Sequence, residues 1–201
     1  MDSQLIDQLS GQLGANGLPY AIPMHPNLVH LTLGLFIIGI AFDIVGVLYP
    51  FDRVIFKYLA IPVTRSNFFD VGWYNMLGSA VITFFTVAFG FYEMLLVGST
   101  PNVKSAWGLG AMTTLLWHGV GGVFLLAIIV SMAFWRGFQR YVWRSDASRQ
   151  VQWSYLLAAV VIMFIMLLHG TLGAQLAAEF GVHNTAGNLL RMGQDPNTVL
   201  R

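Results

Sequence analysis

Residues 107–135, WGLGAMTTLLWHGVGGVFLLAIIVSMAFW, contain no Asp, Glu, Lys or Arg. A bilayer with a hydrocarbon core about 30 Å thick is crossed by about 20 apolar residues in an α-helix, because only a helix satisfies its own backbone polar groups in lipid. The stretch is long enough for this, and it is predicted to be a transmembrane helix.

Three further stretches satisfy the same requirement. They are residues 27–49, 72–97 and 153–178. Pro50 and Pro62 are predicted to end the first helix and to separate it from the second. Between these prolines, residues 51–61 hold the apolar side chains of Val54, Ile55, Tyr58 and Leu59 between charges, and they are predicted to lie along the membrane surface as a short amphipathic helix.

The composition supports this architecture. Of the 201 residues, 56% are apolar and 9% are charged, whereas a soluble domain carries about 25% charged residues. So few charges cannot cover a water-soluble surface. The sequence therefore predicts an all-α membrane protein, a bundle of four transmembrane helices at residues 23–180 with polar tails at residues 1–22 and 181–201.

The basic residues predict the orientation of the helices, because Lys and Arg are retained on the cytoplasmic side. The second connection between helices holds one of them, Lys104. The first and third connections hold seven: Arg53, Lys57, Arg65, Arg136, Arg140, Arg144 and Arg149. Both termini are therefore predicted to face the outer side, periplasmic or lumenal, of a bacterial inner or thylakoid membrane.

The inventory of side chains excludes several kinds of site. The chain has no cysteine, which excludes disulfides, thiolate ligands and iron–sulfur clusters, so a metal ligand is expected to be His, a carboxylate or Met. The formal net charge is +1 and the basic residues do not cluster, so no nucleic-acid surface is predicted. The spacing of Ser, His and acidic residues matches no hydrolytic or zinc motif. An electron carrier or an accessory subunit is therefore favoured over an enzyme.

Five ionisable residues interrupt the predicted helices. They are His30, Asp43, Glu93, His118 and His169. Burial of such a side chain in lipid costs at least ~2.5 kcal/mol, so each suggests a function. With a rise of about 1.5 Å per residue, His118 and His169 lie at one level, ~5 Å to the outer side of the midplane. By the same rise, His30 and Glu93 lie together ~12 Å from it. Because the third connection is short, the third and fourth helices are predicted to be antiparallel neighbours whose imidazoles face each other.

A glycine stands four residues after each intramembrane histidine, on the same helix face. The pairs are His30 with Gly34, His118 with Gly122, and His169 with Gly173. A planar macrocycle between helices needs an imidazole for its metal and small residues beside its rings. The pattern predicts a b-type haem between the third and fourth helices, with His118 and His169 as the axial ligands. Gly122 and Gly173 would line the cofactor site.

Roles without a haem stay open for these residues. Close helix packing accounts for the glycines, and a histidine can serve as an interhelical hydrogen-bond donor. A chlorophyll bound through one histidine is a weaker alternative to the haem. A hydrogen bond to Glu93 would satisfy His30. His25 and His183 lie outside the predicted helices and are expected to be solvated. Asp43 lies nearly opposite His30 on the first helix, and it is predicted to pair with an Arg of the cytoplasmic loops or with a partner subunit.

The sequence resembles a known family at several of these positions. The residues are His25-Pro26-Asn27-Leu28-Val29-His30, Asp43, His118, and His169-Gly170-Thr171-Leu172-Gly173-Ala174-Gln175-Leu176 with Gly181-Val182. They resemble a four-helix bacterial membrane family catalogued as a domain of unknown function, with an HP-x-x-V-H motif at the start of its first helix. The resemblance covers about residues 23–182, and it implies the architecture and a bacterial membrane. The histidine pattern is similar to that of small transmembrane b-type cytochromes, which favours a haem.

Two functions are predicted as alternatives. In the first, the chain is a membrane electron-transfer subunit whose haem b lies near the outer face. It would exchange electrons with a quinol, an outer-side electron carrier, or an attached oxidase or photosynthetic complex. His30 and Glu93 would then contact the quinol or release its protons. In the second, the chain is a non-catalytic accessory, assembly or pigment-contacting subunit of a larger respiratory or photosynthetic complex.

Overall fold

The computed structural model describes residues 13–60, 62–98, 100–143 and 151–200, and every regular element within them is helical. The elements are α1 (Met24–Tyr58), α2 (Arg65–Leu95), α3 (Ala111–Phe138), a π-helical turn (Gln139–Trp143), α4 (Trp153–Ala178), α5 (Thr185–Arg191) and α6 (Pro196–Val199). Among the described residues, four helices are long and apolar enough to cross a membrane. The predicted fold class, a membrane protein of four apolar helices, is confirmed.

Several helix boundaries differ from the prediction, and three of the differences have a local cause. Pro50 does not end α1, because a proline keeps a helical φ and removes one hydrogen bond, which a long apolar helix tolerates. α2 begins before residue 72, because Thr64 caps it: the Thr64 amide donates to Asn67 Oδ1 at 2.8 Å. The first turn of α2 begins with polar residues, so a search for apolar runs does not include it. α3 begins after residue 107, following a turn in which Gly108 has a φ of 75°.

The described residues form two compact units. The terminal unit consists of the described parts of residues 1–27, 87–122 and 169–201, and the central unit of those of residues 28–86 and 123–168. Arg144 and Arg149 of the predicted third connection, and residues 1–12 of the predicted N-terminal tail, lie outside the described residues.

The terminal unit has a small apolar core between helix ends. Its members are Ala111, Leu115, Leu176 and Phe180, with Met94, Val97 and Val182 packed against them. Leu18, in the predicted N-terminal tail, is fully buried. The predicted C-terminal tail contains α5 and α6. Parts of both predicted tails are therefore folded.

The central unit has a larger apolar core and a buried ion pair. Arg136 Nε and Nη2 each donate to the Asp43 carboxylate at 3.0 Å, and Nη2 also donates to the Phe69 carbonyl at 3.2 Å. Both charged side chains are fully buried. The ion pair joins α1 to α3, and Phe69 adds α2. The prediction that Asp43 pairs with an Arg of a basic connection is confirmed, with Arg136 as the partner.

Candidate cofactor site

Three histidines of the terminal unit form one group, called here the imidazole cluster. They are His25 at the start of α1, His118 in α3 and His169 in α4. The rings of His118 and His169 are stacked, with their centroids 4.5 Å apart and their planes 5° apart. The prediction that these two imidazoles meet is therefore confirmed. They meet through their flat faces.

His25 completes the cluster, and the prediction that it is solvated is wrong. Its Nε2 atom lies 3.4 Å from Nε2 of His118, with the ring planes 86° apart and the centroids 5.7 Å apart. The prediction failed because α1 begins at Met24, before the predicted start at residue 27. Pro26 indicates this earlier helix start in the sequence, since a proline is favoured in the first turn of a helix.

Each ring of the imidazole cluster packs on a glycine of another helix. A Cβ atom at Gly90 of α2 would lie 2.8 Å from the His25 ring. At Gly173 of α4 it would lie 2.9 Å from the His118 ring, and at Gly121 of α3 it would lie 2.6 Å from the His169 ring. Real Cβ atoms do not approach so closely, so these contacts require glycine. The packing of α3 and α4 is reciprocal, because each helix supplies a ring and a glycine to the other.

The glycines predicted from spacing have different surroundings. Gly173 contacts the ring of His118, so its surface holds an imidazole where a macrocycle was predicted to lie. A Cβ atom at Gly122 would be in ordinary contact, 3.9 Å from Nε2 of His169, and one at Gly34 would meet nothing within 4 Å. Sequence spacing missed Gly121, because it pairs each histidine with a glycine of the same helix. The ring of His169 lies instead against a glycine of the neighbouring helix α3.

Glu93 is a buried carboxylate, 4% exposed, in the terminal unit. Its Oε1 atom accepts a hydrogen bond from the Tyr20 hydroxyl at 2.8 Å and one from the His25 amide at 3.0 Å. Burial, together with this hydrogen bond to Glu93, raises the pKa of the Tyr20 phenol. Glu93 therefore fixes the backbone at the start of α1. His30, predicted to act with Glu93, is an exposed residue of the central unit.

His183 is also bound within the terminal unit, and its predicted solvation is wrong. Gly181 and His183 both have a positive φ, 67° and 52°, so the chain reverses direction after α4. Nε2 of His183 lies 2.9 Å from the Glu93 carbonyl, and Nδ1 lies 3.1 Å from the Asn16 carbonyl. A carbonyl oxygen only accepts, so both contacts are hydrogen bonds when the ring carries two protons. His183 thus links the N-terminal segment to the end of α2.

The imidazole cluster can be tested against the geometry of a metal held by two histidines. Such a metal lies on the in-plane lone-pair axis of each ring. The lone pairs of His118 and His169 lie in parallel, separate planes and do not converge. The Nε2 atoms of His25 and His118 face each other.

An imidazole–metal bond is about 2.0–2.1 Å long, so nitrogens on opposite sides of one ion lie ~4 Å apart. The separation of 3.4 Å between the Nε2 atoms is therefore ~0.6 Å shorter than two such bonds in line. Among the described residues, no group of three or more His, Cys, Asp or Glu is arranged to hold a metal ion. The two facing nitrogens of His25 and His118 equal in number the protein ligands of a haem held by two histidines.

The chain belongs to the family described as "Predicted membrane protein (DUF2231)", whose model matches residues 21–186. The match covers all four apolar helices and the whole imidazole cluster. It confirms the resemblance to a membrane family of unknown function. Comparison with curated proteins and with solved structures gave no match.

Proposed function

We propose that this chain is a membrane electron-transfer subunit that holds a b-type haem in its imidazole cluster. The proposal is carried by one observation, the facing Nε2 atoms of His25 and His118, 3.4 Å apart within apolar helices. Ionisable side chains are rare in such helices and mark functional sites. Imidazole is a common axial ligand of haem iron.

A bound haem supplies a one-electron redox couple. The chain provides the ligands, the apolar surroundings and a nearby proton acceptor. Glu93 fixes the backbone of His25 through the amide hydrogen bond. Its side chain, in the same unit, would contact a carrier such as a quinol or take part in the release of the carrier's protons.

The distribution of basic residues supports an orientation with both termini on the outer side of a bacterial inner or thylakoid membrane. In this orientation the terminal unit faces the periplasm or lumen. Its electron partners would be a quinol, a soluble outer-side carrier, or an attached respiratory or photosynthetic complex.

The test is a reduced-minus-oxidised absorbance spectrum of the full chain, expressed with added haem precursor and purified in mild detergent. We expect the α-band of a b-type haem, and we expect His118→Phe to abolish it. Trp117→Phe is the matched control, since Trp117 precedes His118 on α3 and is exposed; its spectrum should equal that of the wild type. A wild-type protein without a haem band would exclude the proposal.

A second function is supported by the reciprocal packing of the imidazole cluster, which is complete without a cofactor. In this alternative the histidines join helices, and the chain is an accessory or assembly subunit of a larger membrane complex. Purification in gentle detergent separates the two functions. A haem-free chain that elutes with other membrane subunits supports the accessory function, and a haem-free chain that elutes alone argues against both.

A further inference from the structure

We infer that His25 and His118, on α1 and α3, are the axial pair, and that His169 positions the His118 ring without binding the metal. This inference rests on the proposed function. It replaces the pair of His118 and His169 that the sequence predicts. It also moves the cofactor from between the third and fourth helices to between the first and third.

The first argument is the direction of the ring nitrogens. A shared metal requires one nitrogen of each ring to point at a common position. The Nε2 atoms of His25 and His118 meet this condition. The stacked pair does not, because its two rings lie face to face and their in-plane lone pairs run in separate planes.

The second argument concerns the role left to His169. Nδ1 of His118 is buried and has no hydrogen-bond partner in the part of the chain that the structure describes. Metal-binding histidines are usually oriented by a hydrogen bond from their second nitrogen. Here the face of His169 and the surface of Gly173 hold the plane of the ring instead. His169 is therefore a positioning residue, and Gly121 holds it in place.

The third argument gives the inference its own spectroscopic signature. His25 rests on Gly90 and His118 on Gly173, so both ligand planes are fixed, 86° apart. Two imidazoles in perpendicular planes leave the iron d orbitals nearly degenerate, and the low-spin ferric signal in electron paramagnetic resonance is then dominated by one large g value. Parallel planes, such as those of His118 and His169, give a rhombic signal with three resolved g values.

The experiment compares three single variants of the full chain, His25→Phe, His118→Phe and His169→Phe. Phenylalanine keeps a flat ring on each glycine and removes only the nitrogens. We expect His118→Phe to lose the haem. We expect His25→Phe to lose it or to retain a five-coordinate, high-spin form. His169→Phe should keep the six-coordinate, low-spin absorbance and the signal with one large g value, because its flat ring still lies against His118. A fourth variant, His169→Ala, removes that ring and should keep the absorbance while its paramagnetic signal broadens.

Wild-type protein gives an answer even when a variant does not fold. A signal with one large g value supports the perpendicular pair, and a rhombic signal overturns it. Loss of the haem in His169→Phe together with an unchanged six-coordinate, low-spin haem in His25→Phe also overturns the inference and restores the pair predicted from sequence. Added imidazole should restore the six-coordinate spectrum to His25→Gly. A wild type without haem excludes the proposed function itself, whereas the other outcomes leave that function standing.

Discussion

Removing the charge of Asp43 is predicted to destabilise the protein strongly, because it leaves the buried charge of Arg136 without its partner. Asp43 accepts two hydrogen bonds at 3.0 Å from Arg136, and both side chains are fully buried. In Asp43→Asn, the guanidinium stays charged and keeps the Phe69 carbonyl at 3.2 Å as its described partner. Loss of one member of a buried pair costs about 3–5 kcal/mol.

This loss of stability follows from the unpaired charge of Arg136, and a second substitution tests this explanation. Arg136→Met in the Asp43→Asn background removes the unpaired guanidinium. The remaining cost is that of an unsatisfied buried amide, about 1–3 kcal/mol. The double variant should therefore be more stable than Asp43→Asn alone, with a coupling energy of at least ~2 kcal/mol.

Unfolding of purified protein in mixed detergent micelles measures these free energies. The 6 tryptophans report the transition by fluorescence. Ser131→Ala, an exposed change on α3, is the control and should stay within about 0.5 kcal/mol of the wild type. If the double variant were destabilised by the sum of the two single effects, the reasoning from an uncompensated buried charge would be refuted.

Three further predictions concern the terminal unit. Gly121→Ala places a methyl group against an imidazole and should lower the free energy of unfolding by about 1–3 kcal/mol; Gly170→Ala, which meets nothing within 4 Å, should be neutral or stabilising by up to about 1 kcal/mol in the same assay. Tyr20→Phe leaves the Glu93 carboxylate with one donor fewer and should cost about 1–3 kcal/mol at neutral pH. Because folding raises the pKa of Tyr20, the stabilisation by its hydroxyl is fully present below about pH 10, the ordinary pKa of tyrosine, and it is lost as the pH rises further. If the free energies of unfolding of Tyr20→Phe and the wild type differed by the same amount well above pH 10, the assignment would be contradicted. His183→Phe removes the contacts of both ring nitrogens with backbone carbonyls and should increase proteolysis of the N-terminal segment at least several-fold, whereas equal cleavage of variant and wild type would count against this link.

The four helices could be predicted from sequence because each is a long apolar run, and the bilayer requires such a run to be helical. Helix ends were predicted less well. Polar residues extend α2 to Arg65, and α1 continues through Pro50. Both ends depend on capping and local hydrogen bonds, which hydropathy does not record.

The meeting of His118 and His169 followed from helix length and rise, which fix depth along an antiparallel pair. The rotation of each helix about its axis does not follow from length. For this reason Gly121, and not Gly122, lies under the His169 ring. Spacing within one helix also cannot identify a ligand contributed by another, and His25 was missed although it lies five positions before His30 in the same motif.

Ring shape alone does not account for histidine at these three positions. Phenylalanine would also present a flat ring to Gly90, Gly121 and Gly173, and it would not bring polar nitrogens into an apolar helix. A buried polar atom without a partner costs about 1–3 kcal/mol, and Nδ1 of His118 has none among the described residues. The other nitrogen of that ring, Nε2, faces Nε2 of His25 at 3.4 Å. A structural role therefore explains the glycines, whereas a metal between the facing Nε2 atoms would account for histidine at positions 25 and 118, and the spectrum of His25→Phe tests this.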